Sequence, residues 1–184
     1  MSQQLKSISR DAPHYPVCLL QRLGVDAPPE LTALGNLDLL ALPKTAIFCS
    51  ARCPGKVILT TYDQAAKWRE EGRCVISGFH SPVEKECLRI LLRGQQPIII
   101  CPARALPKRV SAEWKKPLAD GRLLILSCFT ATHRSPTKQL AARRNELVAA
   151  LADQVFVAYA TPGGRLEASL RQNPLPLHPN EIHG

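Results

Sequence analysis

Three segments of the chain combine residue types that bind phosphate groups, and each comes directly after a short apolar run. The segments are Cys49-Ser-Ala-Arg52, Ser77-Gly-Phe-His80 and Thr161-Pro-Gly-Gly-Arg165. A guanidinium can bind a phosphate through two hydrogen bonds, and glycines expose backbone amides that bind anions. These residues therefore indicate the binding of phosphate-bearing ligands, although an ordinary exposed arginine explains Arg52 equally well.

The stretch Ser77–Glu84 has the features of a helix start. Ser81 can cap the helix, Pro82 suits its first turn and Glu84 completes a capping box. The free amides and the dipole at such an N-terminus attract anions. Capping by itself is a sufficient structural reason for these three residues, so the functional candidates are the residues that come before them.

Gly78, Phe79 and His80 are those candidates. Gly78 ends an apolar run, where the backbone must turn sharply or approach a ligand closely. Phe79 can stack on a base, although an inward position in the core explains it equally well. His80 can contact a phosphate, and a single histidine supports no catalytic role.

Positive charge is concentrated in one part of the chain. The net charge is +9, and residues 104–144 alone carry ten Lys or Arg against two acidic residues, a net +8. Such a field attracts polyanions and weakens with salt, although a solvated polar surface is the alternative explanation. Within this stretch, Thr132–Lys138 predicts a second helix start with Ser135 as its N-cap, and Arg143-Arg144-Asn145 follows on the same helix.

Several classes of protein are disfavoured by what the sequence lacks. It has no P-loop and no strand-linked dinucleotide fingerprint, and no paired carboxylates, triad or metal cluster on the predicted loops. We therefore predict no catalytic residue, metal or cofactor, and expect a binding protein more than an enzyme. The seven cysteines mostly lie in apolar runs and are interpreted as buried hydrophobes. Without a membrane-length apolar run or a signal peptide, we expect a cytoplasmic location.

Short apolar runs alternate with helical patterns over most of the chain. The runs are continuous, which is typical of strands buried on both faces of a sheet. This alternation predicts a mainly parallel sheet in a three-layer α/β/α, Rossmann-like fold, with ligands bound beyond the carboxyl ends of the strands. The predicted strands are 45–49, 73–77, 96–101, 122–127 and 154–159, and the predicted helices are 62–71, 82–93, 111–118, 136–151 and 164–171.

The chain length favours a single domain. Residues 1–12 are polar and are predicted to be a flexible N-terminus, and residues 13–172 to be the folded domain. Residues 173–184 contain three prolines and are predicted to be an extended tail.

Several motifs, in their order along residues 13–172, resemble the DNA-processing-A (DprA/Smf) family of Rossmann-like domains. They are His14-Tyr-Pro16, Asp26-Ala-Pro-Pro29, Gly35-Asn-Leu37, the run ending in Cys49-Ser-Ala-Arg52, Ser77-Gly78, Arg143-Arg144-Asn145, Leu151-Ala-Asp153 and Gly164-Arg-Leu-Glu-Ala168. The resemblance implies binding of single-stranded DNA or a nucleotide, and it suggests a homodimer. It also implies binding by Arg52 and, less directly, by Lys138, Arg143 and Arg144.

From the residues and the resemblance together, we predict a set of nucleic-acid or phosphate-binding residues. They are Ser50, Arg52, Ser77, Gly78, Phe79, His80, Lys138, Arg143, Arg144, Asn145, Gly163, Gly164 and Arg165.

The sequence departs from the family pattern in four places. The family's Ser-Gly-x-Ala-x-Gly-Ile-Asp is Ser77–Glu84 here, without the second Gly and the Asp. Either Cys49 replaces the first Gly of Gly-Ser-Arg, or the loop has shifted by one residue. Ala141-Ala142 stand where the family has Phe-Pro, which removes an aromatic contact to a base. Arg165 replaces the Ser of Gly-Ser-Leu. These differences describe a divergent member and leave a recombinase-loading role without support.

A nucleotide-cleaving enzyme is the second hypothesis. The same superfamily includes cytokinin-activating nucleotide phosphoribohydrolases, which carry Pro-Gly-Gly-x-Gly-Thr-x-x-Glu. Pro162-Gly-Gly164 matches its start, whereas Arg165-Leu166 replaces the Gly-Thr and the glutamate spacing differs. Glu84 and Glu167 are the nearby acids for such chemistry. The third hypothesis is a protein-interaction module whose basic face meets an acidic partner.

Overall fold

A computed structural model of this chain describes residues 4–106 and 109–172. The strands are β1 (Lys6–Ser9), β2 (Glu30–Gly35), β3 (Lys44–Cys49), β4 (Cys74–Ser77), β5 (Ile98–Ile100), β6 (Leu123–Ser127) and β7 (Gln154–Tyr159). The helices are α1 (Val17–Leu23), α2 (Gly55–Glu70), α3 (Pro82–Leu92), α4 (Ala112–Ala119), α5 (Lys138–Leu151) and α6 (Arg165–Gln172). The predicted proline-rich tail, 173–184, lies outside the described residues.

One seven-stranded sheet forms the centre of the molecule, in the order β1-β2-β6-β5-β4-β3-β7. The strands from β6 to β7 in this order pair in parallel, whereas β2 pairs antiparallel with β6 and β1 antiparallel with β2. Every residue of β3, β4, β5 and β6 is buried, as their continuous apolar runs require. The predicted mainly parallel sheet is thereby confirmed.

Helices cover both faces of the sheet. On one face, α2 and α4 contribute Trp68 and Leu118 to a cluster that also includes α3. On the other face, α1 and α5 contribute Leu19 and Leu147, and α6 packs against α5. The Trp68 ring meets the Phe156 ring of β7 edge to face, with centroids 5.2 Å apart. These two clusters define three layers and confirm the predicted α/β/α Rossmann-like fold.

The first two strands are absent from the sequence-based prediction. Lys6–Ser9 lie in the segment predicted to be flexible, and that prediction is wrong for them because they pair with β2. Ile8 is the buried residue of β1, too little apolar patterning to indicate a strand. β2 ends at Gly35, which has a φ of 114°, and a Cβ atom at this position would lie 2.2 Å from the Leu123 carbonyl oxygen.

Two helix starts differ from the prediction. α2 begins at Gly55 rather than at Tyr62, because Val57 and Thr61 extend its buried face toward the N-terminus. α5 begins at Lys138 rather than at Pro136, and its N-cap is not the predicted Ser135. Thr137 is the N-cap instead, because its hydroxyl accepts a hydrogen bond from the Leu140 amide at 3.2 Å.

The parallel strands give the sheet two different edges. Their carboxyl ends lie along one edge, here called the carboxyl edge, and their amino ends lie along the opposite one, here called the amino edge. β3 leads into α2 on one face and β7 into α6 on the other, so the crevice between these neighbouring strands is the topological switch point. Among the described helices, none has the length and apolar character needed to cross a membrane.

Candidate functional site

A cleft of about 290 Å³ opens at the carboxyl edge. It lies where the loops after β4 and β5 approach the first turns of α5 and α6. Its lining residues are His80, Ala103, Pro136, Thr137, Lys138, Ala141, Ala142, Asn145, Arg165 and Ser169. The cleft therefore brings together four of the residues that the sequence predicts to bind: His80, Lys138, Asn145 and Arg165.

One face of α5 forms a wall of this cleft. Lys138, Ala141, Ala142 and Asn145 follow a spacing of three and four residues, which places them on the same side of a helix. The two alanines leave space between the charged end of the wall, at Lys138, and the amide of Asn145. The sequence analysis considers Ala141 and Ala142 only as a missing aromatic contact, whereas the structure shows that they shape the cleft.

The loop between β4 and α3 is fixed by one buried carboxylate. Glu84 accepts hydrogen bonds from the amides of His80 at 2.8 Å and Ser81 at 3.2 Å, and from the Cys49 amide at the end of β3 at 3.0 Å. The Ser81 hydroxyl caps the Glu84 amide in return, which confirms the predicted capping box. His80 itself is exposed at this helix start.

Ser77 and Phe79 lie inside the protein rather than on its surface. The Ser77 hydroxyl donates to the Ile47 carbonyl at 2.8 Å and accepts from the Phe79 amide at 3.2 Å. Phe79 has a φ of +45° and is 5% exposed, so its ring belongs to the core. The same turn recurs after β6, where the Ser127 hydroxyl accepts from the amide of the buried Phe129.

Arg144 is a buried arginine beneath the same loop. Its guanidinium donates to the Cys101 carbonyl at 3.3 Å and to the Asn145 side chain at 2.8 Å. A Cβ atom at Gly78 would lie 1.3 Å from its Nη1 atom, so the guanidinium occupies the space that this glycine leaves. Burial lowers the pKa of Arg144, and the nearby Glu84 carboxylate opposes that shift. Arg144 thus ties β4, β5 and α5 together.

Arg143 and Arg52 have different surroundings. Arg143 is half-buried, pairs with Glu146 at 3.2 Å and donates to the Asp26 carbonyl. Its guanidinium is directed toward α1 and the segment after it, not into the cleft. Arg52 is exposed in the loop after β3, at the switch point.

The switch point also holds Ser50 and the Gly163-Gly164 turn. The Ser50 hydroxyl accepts from the Thr161 amide at 3.0 Å, which joins the loops after β3 and β7. Gly163 has a φ of 69°, and its amide donates a hydrogen bond to the Glu167 carboxylate at 2.8 Å. This carboxylate lies where a bound phosphate oxygen would lie, so a ligand at the Gly163 amide must displace Glu167.

The basic stretch of the sequence is divided between the two edges. Arg104 and Arg134 are exposed at the carboxyl edge, where the Ala105 amide donates to the His133 carbonyl and joins their loops. Lys116 instead pairs with Asp120 at 2.8 Å near the start of β6, at the amino edge. Arg104, His133 and Arg134 are absent from the residue set predicted above, because nothing in the sequence places two separate loops side by side.

The described residues contain no group of His, Cys, Asp and Glu side chains able to hold a metal ion. All seven cysteines are free. Burial raises the pKa of Cys74 and Cys87 to about 12, and it also raises the pKa of Cys101. These thiols therefore stay protonated at neutral pH, which agrees with their interpretation as buried hydrophobes.

Two solved structures are similar to this fold. DNA processing protein A from Streptococcus pneumoniae has a TM-score of 0.73 and 24% identity, over 92% of this chain and 61% of that one. DNA processing protein A from Helicobacter pylori, described with its single-stranded DNA binding mode, has a TM-score of 0.70 and 24% identity, over 98% and 84%. This chain thus spans about three fifths of the S. pneumoniae protein. Comparison with curated proteins gives no significant match.

The fold, with its cleft at the carboxyl edge, is that of a Rossmann-like α/β domain. The sequence model of one family within that class, DNA recombination-mediator protein A, matches residues 6–167. The chain belongs to this family, as the order of its motifs predicts.

Proposed function

We propose that this chain binds single-stranded DNA along its carboxyl edge, with the cleft and the exposed cations around it as the contact surface. The observation that carries the proposal is the convergence of His80, Lys138 and Arg165 from three different elements on one cleft. The cations among them, Lys138 and Arg165, neutralise phosphates of a DNA strand and release its counterions, and the His80 ring can form a hydrogen bond to a phosphate. The family and the strand-binding H. pylori relative support the same ligand.

A single strand of DNA fits this surface better than a mononucleotide does. Arg52 lies at the switch point, Lys138 at the cleft, and Arg104 and Arg134 on the loops after β5 and β6. Cations spread along the ends of several strands match successive phosphates, whereas one mononucleotide offers a phosphate to only one of these places. The charges therefore favour a polymer as the ligand.

The nucleotide-cleaving hypothesis has less support from the geometry. Glu84 is buried and accepts three backbone amides, so its carboxylate has a structural role. Glu167 accepts from the Gly163 amide. Neither acid is presented to the cleft as a free general acid or base, and we accordingly propose a binding protein without hydrolytic activity.

The experiment is fluorescence anisotropy of a labelled oligonucleotide across a salt series, with Arg52→Ala and Lys138→Ala. Each variant is expected to bind severalfold more weakly, and its log–log salt slope to fall by about 0.7 for each lost phosphate contact. Lys116→Ala is the matched control, because it removes one exposed charge at the amino edge. It should leave both affinity and slope nearly unchanged.

Other results would contradict the proposal. Equal losses from Lys116→Ala and Lys138→Ala would mean that overall charge, not the carboxyl edge, attracts DNA. Displacement of the oligonucleotide by one mononucleotide at low concentration would favour the small-ligand hypothesis, and release of free base would favour the enzyme.

Two further properties are also proposals. We propose a homodimer, which the family resemblance suggests and which light scattering of the purified protein tests. We propose a cytoplasmic location, because seven free cysteines suit a reducing compartment.

A further inference from the structure

Two cysteines flank the loop that carries Ser50 and Arg52. Cys49 is the last residue of β3, and Cys53 comes two residues before the start of α2. Cys49 is 5% exposed, whereas Cys53 is half-buried and packs against the same apolar cluster that contains Cys49. The loop therefore has one thiol inside the protein and one near its surface.

The two thiols interact directly, and the inner one is anchored. The side chains of Cys49 and Cys53 form a hydrogen bond with each other. Burial raises the pKa of the Cys49 thiol, and the neighbouring Cys53 thiol raises it further. The Cys49 amide donates to Glu84 at 3.0 Å, and Cys49 pairs with Tyr159 of β7. Cys49 is thus held in the sheet as a protonated thiol, and Cys53 is the more accessible of the two.

We propose that Cys49 and Cys53 are a modification site, which a small disulfide such as oxidised glutathione converts into an internal disulfide bond. The Cys53 sulfur attacks one sulfur of oxidised glutathione, and its proton goes to the glutathione thiolate that leaves. The Cys49 sulfur then attacks the Cys53 sulfur of this mixed disulfide, and its proton goes to the second glutathione. Two protein thiols are oxidised, and one glutathione disulfide is reduced to two thiols. In a reducing compartment such a bond is transient and forms when disulfides accumulate.

The disulfide bond changes DNA binding through Arg52, and this part of the inference rests on the proposed function. A covalent bond between two sulfurs is shorter than a contact between two thiols. Because Cys49 is anchored, the Cys53 side of the loop moves inward when the bond forms. Arg52 directly precedes Cys53 and is exposed in the reduced protein, so its guanidinium is drawn away from a bound strand. Oxidation therefore removes one phosphate contact.

Peptide mass spectrometry after incubation with oxidised glutathione tests the site itself. Trypsin cleaves on the carboxyl side of Arg52, so the two cysteines fall in different peptides, 45–52 and 53–56, unless a disulfide joins them. With the remaining thiols alkylated, the wild-type protein should yield the joined pair, which a reductant separates. Cys53→Ser should yield no joined pair, and Cys49→Ala should stop at a glutathione adduct on Cys53.

Cys18→Ser is the matched control for Cys53→Ser. Cys18 is also half-buried, but it lies on α1, away from the loop after β3. This variant should yield the same joined pair of peptides as the wild-type protein.

Anisotropy titrations of the reduced and the oxidised protein with a labelled oligonucleotide test the effect on DNA. Oxidation should weaken binding severalfold and lower the log–log salt slope by about 0.7, the loss of one phosphate contact. Treatment with a reductant should restore both. In Arg52→Ala, oxidation should have no further effect, because the contact is already absent.

The outcomes separate the site from its effect. A glutathione adduct on wild-type Cys53 without the joined peptides, or no reaction at all, would overturn the modification site. Joined peptides with unchanged affinity and slope would overturn the effect through Arg52 and leave the site standing. If the reduced protein does not bind the oligonucleotide, the proposed function fails, while the peptides still decide whether the disulfide forms.

Discussion

The cationic side chains at the two edges of the sheet have opposite surroundings. At the amino edge, Lys44 is 6% exposed, and its ammonium donates to the Leu40 and Leu42 carbonyls and lies 3.5 Å from Asp153. Arg73 at the same edge pairs with Glu71 at 3.4 Å. Charges held in this way are satisfied by the protein itself and have little left to offer a ligand.

At the carboxyl edge, the exposed cations Arg52, Arg104, Arg134 and Lys138 take part in none of the ion pairs among the described residues. Arg144 differs from these four cations because it is buried and holds the loop that carries His80. The comparison teaches that net charge is a poor guide to a binding face. What matters is which cations the fold leaves without an anionic partner.

Arg144→Ala should give the largest effect and would sharpen the contrast with its neighbour Arg143. Removing the buried guanidinium removes its hydrogen bonds to the Cys101 carbonyl and the Asn145 side chain and opens a void beside Gly78, at a cost of about 2–5 kcal/mol in the free energy of unfolding. Arg143→Ala, which loses a half-exposed ion pair, should cost less than about 1 kcal/mol. Urea denaturation measures both, and equal costs would contradict the structural role of Arg144.

Lys44→Met should give an intermediate effect and tests the amino edge. The methionine keeps most of the buried stem but removes the donor to two carbonyls, which should cost about 1–2 kcal/mol. Oligonucleotide affinity and salt slope, measured on the folded variant, should not change. A clear loss of affinity would break the division between the two edges.

Alkaline pH should give the smallest change per residue in the free energy of unfolding. It tests a property that the two edges share, the burial of a cysteine thiol. Burial raises the pKa of Cys74, at the amino edge, to about 12 and that of Cys128, at the carboxyl edge, to about 11, from 9.0. In the unfolded chain these thiols ionise near pH 9, whereas in the folded protein they stay protonated. Their contribution to the free energy of unfolding is therefore fully present below pH 9 and is lost as the pH rises above it. Each thiol should cost about 1 kcal/mol between pH 9 and 10.

Urea denaturation at pH 8, 9 and 10 checks this, with Cys74→Ala and Cys128→Ala as separate variants. Each variant should flatten the alkaline loss by the contribution of one thiol. An unchanged pH dependence in either variant would show that its thiol is not protected from ionisation in the folded state.

Much of the fold follows from the sequence, because buried parallel strands leave an unmistakable apolar signal. Runs such as Ile98-Ile-Ile100 have no polar residue to confuse the pattern. The sequence does not predict β1 and β2, because they lie toward the antiparallel end of the sheet, where a strand needs only one buried face. The N-cap of α5 is misplaced because Ser135-Pro136 and Thr137 offer two equally good starts, and only the backbone decides between them.

The candidate site is less predictable than the fold. His80, Lys138 and Arg165 could be named from helix starts and charge, and they do meet at the cleft. Adjacent Arg143 and Arg144 look alike in the sequence, yet a helix turns by about 100° per residue and sends one outward and one inward. The arrangement of Arg144 over Gly78 depends on contacts between distant segments, which no local pattern contains.

The three backbone amides that donate to Glu84 make the loop before α3 rigid before a ligand binds. These hydrogen bonds join the end of β3 to the start of α3 before DNA binds. The backbone around His80 therefore loses little conformational entropy on binding. The cost of association then falls on the exposed side chains and on the flexible strand itself. In such a preorganised surface, related ligands differ mainly in how quickly they leave.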